Sequence, residues 1–297
     1  MGAVVSVDGR ITDEHHATIS VFDHGFLYGE GVYETLRTYH RRPFLYESHV
    51  RRLRASAAQL ALPVPFSDAE LASRMQATVD AHGELDEAYI RVLLTRGVGE
   101  LSYDPATCAN PTLVIIVKPH RDPPATHFED GVKVSLVSVV RNYSGSVNPR
   151  IKSNNLLNNA LAMQEAYRHQ AEEALMLNQA GELVEGSQSN VFVVKNGAVL
   201  TPPLSAGLLP GITREFVLEL LSDLGLPGGE AHLTPADLFA ADEAFITGTT
   251  REVTPIASVD GRPIGQGGSW PITARLLERF RGRVQTLTAA ARTAAPR

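Results

Sequence analysis

Residues 148–162 read NPRIKSNNLLNNALA, and the reading of this stretch decides the fold. An extended segment, NPRIK, gives way at Ser153-Asn154-Asn155 to a helix expected over 153–170, with Leu156, Ala160, Met163 and Tyr167 on one stripe. Lys152 stands at the junction, where a side chain is aimed into a cleft while the following helix fixes its direction. The chain holds only four lysines, Lys118, Lys133, Lys152 and Lys195, so arginine supplies the other 23 of its 27 basic residues. A general preference for arginine accounts for most of this scarcity. Arginine cannot, however, replace lysine where an amine must become neutral and attack a carbonyl. Lys195 falls at a hairpin tip, Lys118 at a strand end beside prolines and Lys133 at a surface position in mid-strand. Lys152 is left as the candidate for covalent imine chemistry, although on position alone a structural lysine near a helix start fits equally well.

Working outward, Val4–Val7 and the segment from Ile11 form a hairpin about Asp8-Gly9, a dipeptide that tolerates positive φ. A strand is expected around Val32–Tyr39. Ser48 reads as the N-cap of a helix whose apolar face is Val50, Leu53, Ala57 and Leu60. A second helix covers Asp68–Ala81, and strands follow at Ala88–Arg96 and Thr112–Lys118. The prolines of PHRDPP at 119–124 interrupt this pattern. Beyond them come strands at Val132–Val140, Ala174–Asn178 and Val191–Val194, the last pairing through Asn196-Gly197 with Ala198–Thr201. A helix begins near Thr213 with Phe216, Val217, Leu220 and Leu221 inward, and Ala244–Thr247 is a strand. The tail TLTAAARTAAPR is expected to fray. The expected fold class is α/β, in two domains: a smaller N-terminal domain over 1–118, a linker over 119–127 and a larger domain over 128–297 carrying the lysine.

Of the 297 residues, 43% are hydrophobic and 20% charged, the profile of a globular chain. A net charge of −6 with no basic tract argues against nucleic acid as a partner. No run approaches the roughly 20 apolar residues that span a bilayer. The start, MGAVVSVDGR, lacks a basic segment followed by an apolar stretch, so a cytoplasmic location is expected. The single cysteine, Cys108, excludes an internal disulfide and a cysteine-rich metal site, and no metal is expected.

Three further segments bear on chemistry. Glu185 lies 33 residues beyond Lys152 in LVEGSQSNVFVV, a strand–turn–strand with small polar residues. Gly211-Ile212-Thr213-Arg214 offers backbone N–H groups at a helix N-terminus, which suits a phosphate. Gly248-Thr249-Thr250 offers a second cluster of N–H and hydroxyl donors. Singly, each is explained by ordinary caps and turns. The order of all three after Lys152 is not ordinary.

In this order the segments IKSNNLLNNALA, ALMLNQAGELVEGSQSNVFVVKNG, LTPPLSAGLLPGITRE and ADEAFITGTTREVTPI, with DHGFLYGEGVYETLR and SHVRRL before them, resemble the motifs of the class-IV pyridoxal-phosphate aminotransferases. This family includes branched-chain and D-amino acid aminotransferases and aminodeoxychorismate lyase. The resemblance runs from about Val4 to about Phe280. It implies fold-type IV, with a pseudo-barrel in the larger domain, the cofactor pyridoxal 5′-phosphate, amino acids and 2-oxo acids as small-molecule partners, and a homodimer. It implies that Lys152 holds the cofactor as an imine and then moves the proton between Cα and C4′. Glu185 would pair with the pyridine nitrogen and keep the ring protonated as an electron sink. Arg52, the backbone of Ile212 and Thr213, and Thr249 would hold the phosphate.

For the substrate, Tyr89-Ile90-Arg91 resembles the YxR motif of branched-chain enzymes, and residues 89 and 91 of a strand share a face. Tyr89 and the backbone of Thr249 and Thr250 would hold the α-carboxylate, Arg91 the second carboxylate of glutamate or 2-oxoglutarate, and Tyr28 and Tyr33 would line the pocket. The loop Gly97–Asp104 would close a neighbouring subunit's site. Other residues depart from the branched-chain pattern: Leu156 and EGSQSN are nearer the D-amino acid enzymes, and Thr35 replaces a glycine. The chain after Thr95-Arg96-Gly97 nevertheless reads VGELSY, without the arginine and histidine of the D-amino acid carboxylate trap. The expected function is a transaminase of branched-chain type with an altered substrate range. The alternatives are D-amino acid transamination, aminodeoxychorismate lyase activity and a non-catalytic ligand-binding homologue. An imine-forming aldolase would use Lys152 but gives no reason for Glu185.

Overall fold

The computed structural model describes residues 2–83 and 85–293. Contacts divide it into two compact units: residues up to Arg121 together with Ile151–Leu156, and Asp122–Arg150 together with the chain from Leu157 onward.

The first unit holds strands β1 (Val4–Val7), β2 (Arg10–Asp13), β3 (Gly31–Tyr39), β4 (Arg42–Pro43), β5 (Ala88–Thr95) and β6 (Thr112–Pro119) in an antiparallel sheet ordered β2-β1-β6-β5-β3-β4. A one-turn helix α1 (His24–Leu27) precedes β3, and helices α2 (Tyr46–Gln59) and α3 (Asp68–His82) cover one face. Alternation explains the cover. Val32 and Leu36 of β3, Ile90, Val92 and Leu94 of β5 and Ile115 and Val117 of β6 are buried with Val50, Leu53 and Ala57 of α2 and Leu71, Met75 and Val79 of α3. Each of these side chains larger than alanine stabilises the fold by about 1.5–3 kcal/mol. Tyr89 and Arg91 are half-buried between the buried Ile90 and Val92, on the face away from this core.

Two helices start elsewhere than the sequence predicts. The N-cap of α2 is Leu45, in the left-handed region at φ 51°, and Ser48 lies within the first turn, donating its N–H to the Leu45 carbonyl. Residues 153–156 do not begin a helix. Val32 bridges Ser153, the N–H of Tyr33 donates to the Lys152 carbonyl at 2.9 Å, and that of Asn154 to the Gly31 carbonyl at 2.9 Å. Residues 152–154 therefore lie as a short extended piece on the start of β3, and by their contacts Lys152 groups with the first unit although its position in the chain suggested the larger, later domain.

The second unit holds α4 (Thr126–Glu129), β7 (Val132–Leu136), α5 (Leu157–Arg168), β8 (Glu173–Leu177), β9 (Leu183–Gly186), β10 (Asn190–Lys195), β11 (Ala198–Thr201), α6 (Ile212–Leu224), β12 (Gly228–Glu230), α7 (Pro235–Phe239), β13 (Glu243–Gly248), β14 (Glu252–Val259), β15 (Arg262–Pro263) and α8 (Pro271–Thr293). The sheet order is β12-β11-β10-β13-β14-β7-β8-β9, with β15 on β14. From β10 to β9 a flat path would cross five gaps of about 4.8 Å, about 24 Å. Residues 187–189 alone join β9 to β10, and four Cα steps reach at most about 15 Å. The sheet must therefore curl into a half-barrel, as the fold-type IV expectation requires. One face of this sheet buries Val132, Val134, Leu175, Val191, Val193, Ala244, Ile246 and Ile256, and on the opposite face, by strand alternation, Phe192 stacks on Phe245 at 4.8 Å.

The buried face of α5 is Ala162, Met163 and Ala166, whereas Ala160 and Tyr167 of the expected stripe are exposed. Helix α8 continues to Thr293 instead of fraying from 286, and the rest of the expected frayed tail lies outside the described residues. No helix among the described residues is long and apolar enough to cross a membrane.

Candidate active site

In the first unit the site begins at Lys152. Its N–H donates to the Ser56 hydroxyl at 3.1 Å and its carbonyl accepts from Tyr33, so the backbone is fixed on both sides. The Lys152 Nζ lies 4.5 Å from the centre of the Tyr33 ring, and the Arg91 guanidinium carbon lies 4.3 Å from the same centre. Tyr89, two residues before Arg91, shares its face and carries Lys118 over its ring at 4.7 Å. Tyr28 packs against His24 and Tyr103, with ring centres at 4.9 and 5.0 Å.

Arg52 is held by a partner that the sequence reading did not name. Its Nε and one Nη each donate to Glu34 at 2.7 Å, a bidentate pair, and His49 Nδ1 lies 2.7 Å from Glu34 Oε2. Burial pushes the Glu34 carboxyl up. The charge and hydrogen bonds of Arg52, then those of His49, more than reverse this, and the pKa falls from 4.5 to about 2. Burial, the largest influence on His49, pushes its imidazole below 6.5 against the pull of Glu34, and the charges of Arg52 and Lys152 push the same way. A neutral His49 facing an ionised carboxylate must carry its proton on Nδ1. The sequence signal for Glu34 was its place in a strand between Val32 and Leu36, both on the core face, where an acid has no apolar reason to be.

In the second unit Glu185 is buried on β9, 4% exposed. Its Oε1 accepts from Arg141 Nε at 2.7 Å, and its Oε2 from the Leu209 N–H at 3.1 Å and Asn190 Nδ2 at 3.3 Å. Arg141, 44 residues earlier, and Asn190 were not singled out from sequence. Ile212 and Thr213 open α6, whose N-cap Gly211 provides no side-chain cap. A Cβ on Gly211 would fall 1.8 Å from Asn190 Oδ1, so the glycine is what lets this helix start approach the Asn190–Glu185 pair. Thr249 and Thr250, both half-buried, sit in the turn that the Arg251 N–H closes on the Gly248 carbonyl at 3.1 Å. The first unit thus gathers Lys152, Tyr33, Arg91 and, through His49, Arg52. The second gathers Glu185 with the start of α6, and presents Thr249 and Thr250 from a separate turn.

The family model for amino-transferase class IV matches residues 31–259, and the chain belongs to that family. A Methanocaldococcus jannaschii protein provisionally named a branched-chain-amino-acid aminotransferase is 41% identical over 277 residues, covering 93% of this chain and 95% of its own. A Bacillus licheniformis D-alanine aminotransferase is 33% identical over 286 residues, covering 96% and 98%. Among solved structures, the T.th. branched-chain amino acid aminotransferase with pyridoxamine 5′-phosphate superposes with a TM-score of 0.90 at 31% identity, covering 96% of this chain and 94% of that one. The protein is an aminotransferase.

Proposed function

We propose that this aminotransferase uses pyridoxal 5′-phosphate to move an amino group between an L-amino acid, branched-chain or glutamate, and a 2-oxo acid. The observation that carries the reading is the Tyr33 ring shared by Lys152 and Arg91. The two distances to its centre bound the separation of amine and guanidinium at about 9 Å. Within that reach one end of a substrate can meet the reacting amine while a carboxylate at the other meets a planar two-pronged donor.

When bound, the cofactor supplies an aldehyde that takes up the amino group and a ring that withdraws the electrons left as Cα loses its proton. Lys152 would supply the amine that takes up the proton leaving the substrate Cα. Glu185, held in place by Arg141, Asn190 and the Leu209 N–H, would pair with the ring nitrogen of the bound cofactor. The phosphate dianion is assigned to Arg52, which Glu34 orients, to the uncapped N–H groups of Ile212 and Thr213 and to the Thr249 hydroxyl, each a donor of the kind a dianion takes. Arg91 and Tyr89, with the N–H groups of Thr249 and Thr250, hold the carboxylates.

The test adds single donors to the cofactor-loaded protein and follows its visible band. L-Leucine and L-glutamate are expected to bleach it. Bleaching by D-alanine alone rejects the substrate assignment, release of pyruvate and 4-aminobenzoate from aminodeoxychorismate favours the lyase, and a protein left colourless by the cofactor favours a non-catalytic homologue.

The enzyme is further proposed to be a cytoplasmic homodimer. In support of the dimer, Asp23 bridges Val98, and around that bridge the first unit exposes Val21, Phe22, Phe26, Leu101 and Tyr103, a patch of the kind that marks association surfaces. Light scattering giving the mass of one chain overturns the dimer.

A further inference from the structure

Glu173, on β8, belongs to none of the groups assigned above. Its side chain is fully buried. Oε1 accepts from the N–H groups of Ala174 and Ser187 at 2.9 and 3.1 Å and from the Ser187 hydroxyl, and Oε2 accepts from the Ser189 hydroxyl at 3.0 Å. An ionised carboxylate at full burial is tolerated only when its lone pairs are met by donors. Three of the four donors come from residues 187 and 189, so the conformation of that connection and the charge of Glu173 stabilise one another.

The connection matters because of what it joins. Residues 187–189 stand between Glu185–Gly186 and Asn190, and Glu185 and Asn190 are hydrogen-bonded to each other. A link of three residues cannot shift at its middle without moving its ends. It also has no slack: a Cβ on Gly186 would lie 2.3 Å from Ser189 Oγ and 3.2 Å from Glu173 Cδ. A second tie runs to the Thr249–Thr250 turn. Arg251, which closes that turn, has Nη2 3.7 Å from Glu173 Oε2 and donates to the Glu172 carbonyl at 3.4 Å. The two loops also meet directly, since a Cβ on Gly248 would lie 3.5 Å from the Gln188 carbonyl oxygen.

We propose that Glu173 is a positioning residue: one buried carboxylate pins the 187–189 connection and, through Arg251, the 248–251 turn, and so fixes Glu185, Asn190 and the two threonines for cofactor binding. This rests on the assignment of Glu185 to the cofactor ring. Glu173→Gln keeps the shape of the side chain but replaces one acceptor oxygen by a donor that faces other donors, and removes the charge beside Arg251.

Two measurements separate the parts of the proposal. Amide hydrogen exchange across 186–190 and 249–251 is expected to accelerate in Glu173→Gln while exchange in β3 and β5 stays as in the wild type. Absorbance titration of apoprotein with pyridoxal 5′-phosphate is expected to show about tenfold weaker binding in Glu173→Gln. In the double variant with Glu185→Gln, the loss is expected to fall well short of the product of the two single losses, because both act through one element. Unchanged exchange in the two loops overturns the positioning role, and so does a double variant whose loss equals that product. If Glu185→Gln alone leaves affinity and turnover unchanged, the assignment of Glu185 fails, while the exchange result still decides whether Glu173 holds the loops. Should Glu173→Gln not fold, Ser189→Ala removes a single hydrogen bond and is expected to give the same pattern at smaller size. Equal exchange in that variant and the wild type overturns the proposal.

Discussion

Replacing Glu34 by glutamine removes the charge that holds Arg52, and the structure sets the size of the effect. The fall of the Glu34 pKa from 4.5 to about 2 corresponds to about 3 kcal/mol, at about 1.4 kcal/mol per pH unit. Breaking one side of a buried ion pair costs about 3–5 kcal/mol in general, which agrees. Glu34→Gln is therefore expected to lose about 3 kcal/mol of stability at pH 7 in urea denaturation of the apoprotein. The sign of the pH dependence follows from the depressed pKa. The stabilisation is fully present above the unfolded value of 4.5 and is lost as pH falls through the folded value of about 2. By linkage the gap between wild type and variant should narrow to roughly 2 kcal/mol at pH 3.5. The depressed His49 pKa adds acid sensitivity of the same sign, beginning as pH falls below 6.5. A loss under about 1 kcal/mol at pH 7, or a gap that does not narrow in acid, refutes the claim that the Arg52–Glu34 pair is ionised and strongly coupled.

Gly211→Ala places a methyl 1.8 Å from Asn190 Oδ1. Since φ at Gly211 is −73°, the backbone itself accepts alanine, and the damage should be confined to the Asn190–Glu185 contact. Cofactor affinity measured by absorbance titration is expected to drop about tenfold or more, with a loss of stability of about 1–3 kcal/mol from the overpacking. Glu185→Gln should keep the cofactor colour and slow turnover by about a hundredfold or more in steady-state kinetics, a range typical of lost electrostatic stabilisation. Phe192→Ala, in the stack with Phe245, should cost about 3–5 kcal/mol in denaturant unfolding, since Phe192 is fully buried.

Most strands were legible because their alternation is local. Residues 89–92 alternate half-buried and buried as a strand with one core face must, and Asn196-Gly197 takes the two positive φ values, 51° and 78°, that a tight hairpin needs. The helix starts were less legible because they answer to non-local demands. Ser153-Asn154-Asn155 has the residue types of a cap, but the edge of β3 at Gly31 and Tyr33 offers backbone partners from more than 100 residues away, and the segment stays extended to meet them. Ser48 likewise yields the cap to Leu45, whose left-handed conformation turns the chain straight from β4 into α2. At the site, motif order offered Lys152, Arg52 and Glu185 as candidates. Arg141 and Glu173 were invisible because each meets its partners only once the curled sheet has formed, and a sequence without its pairings carries no mark of that.

The account stands on one amine, so the most direct measurement is borohydride reduction of the cofactor-loaded protein followed by peptide mapping. The account predicts a single reduced pyridoxyl adduct on the peptide containing Lys152. An adduct on Lys118, Lys133 or Lys195, or none on any of the four lysines, contradicts it.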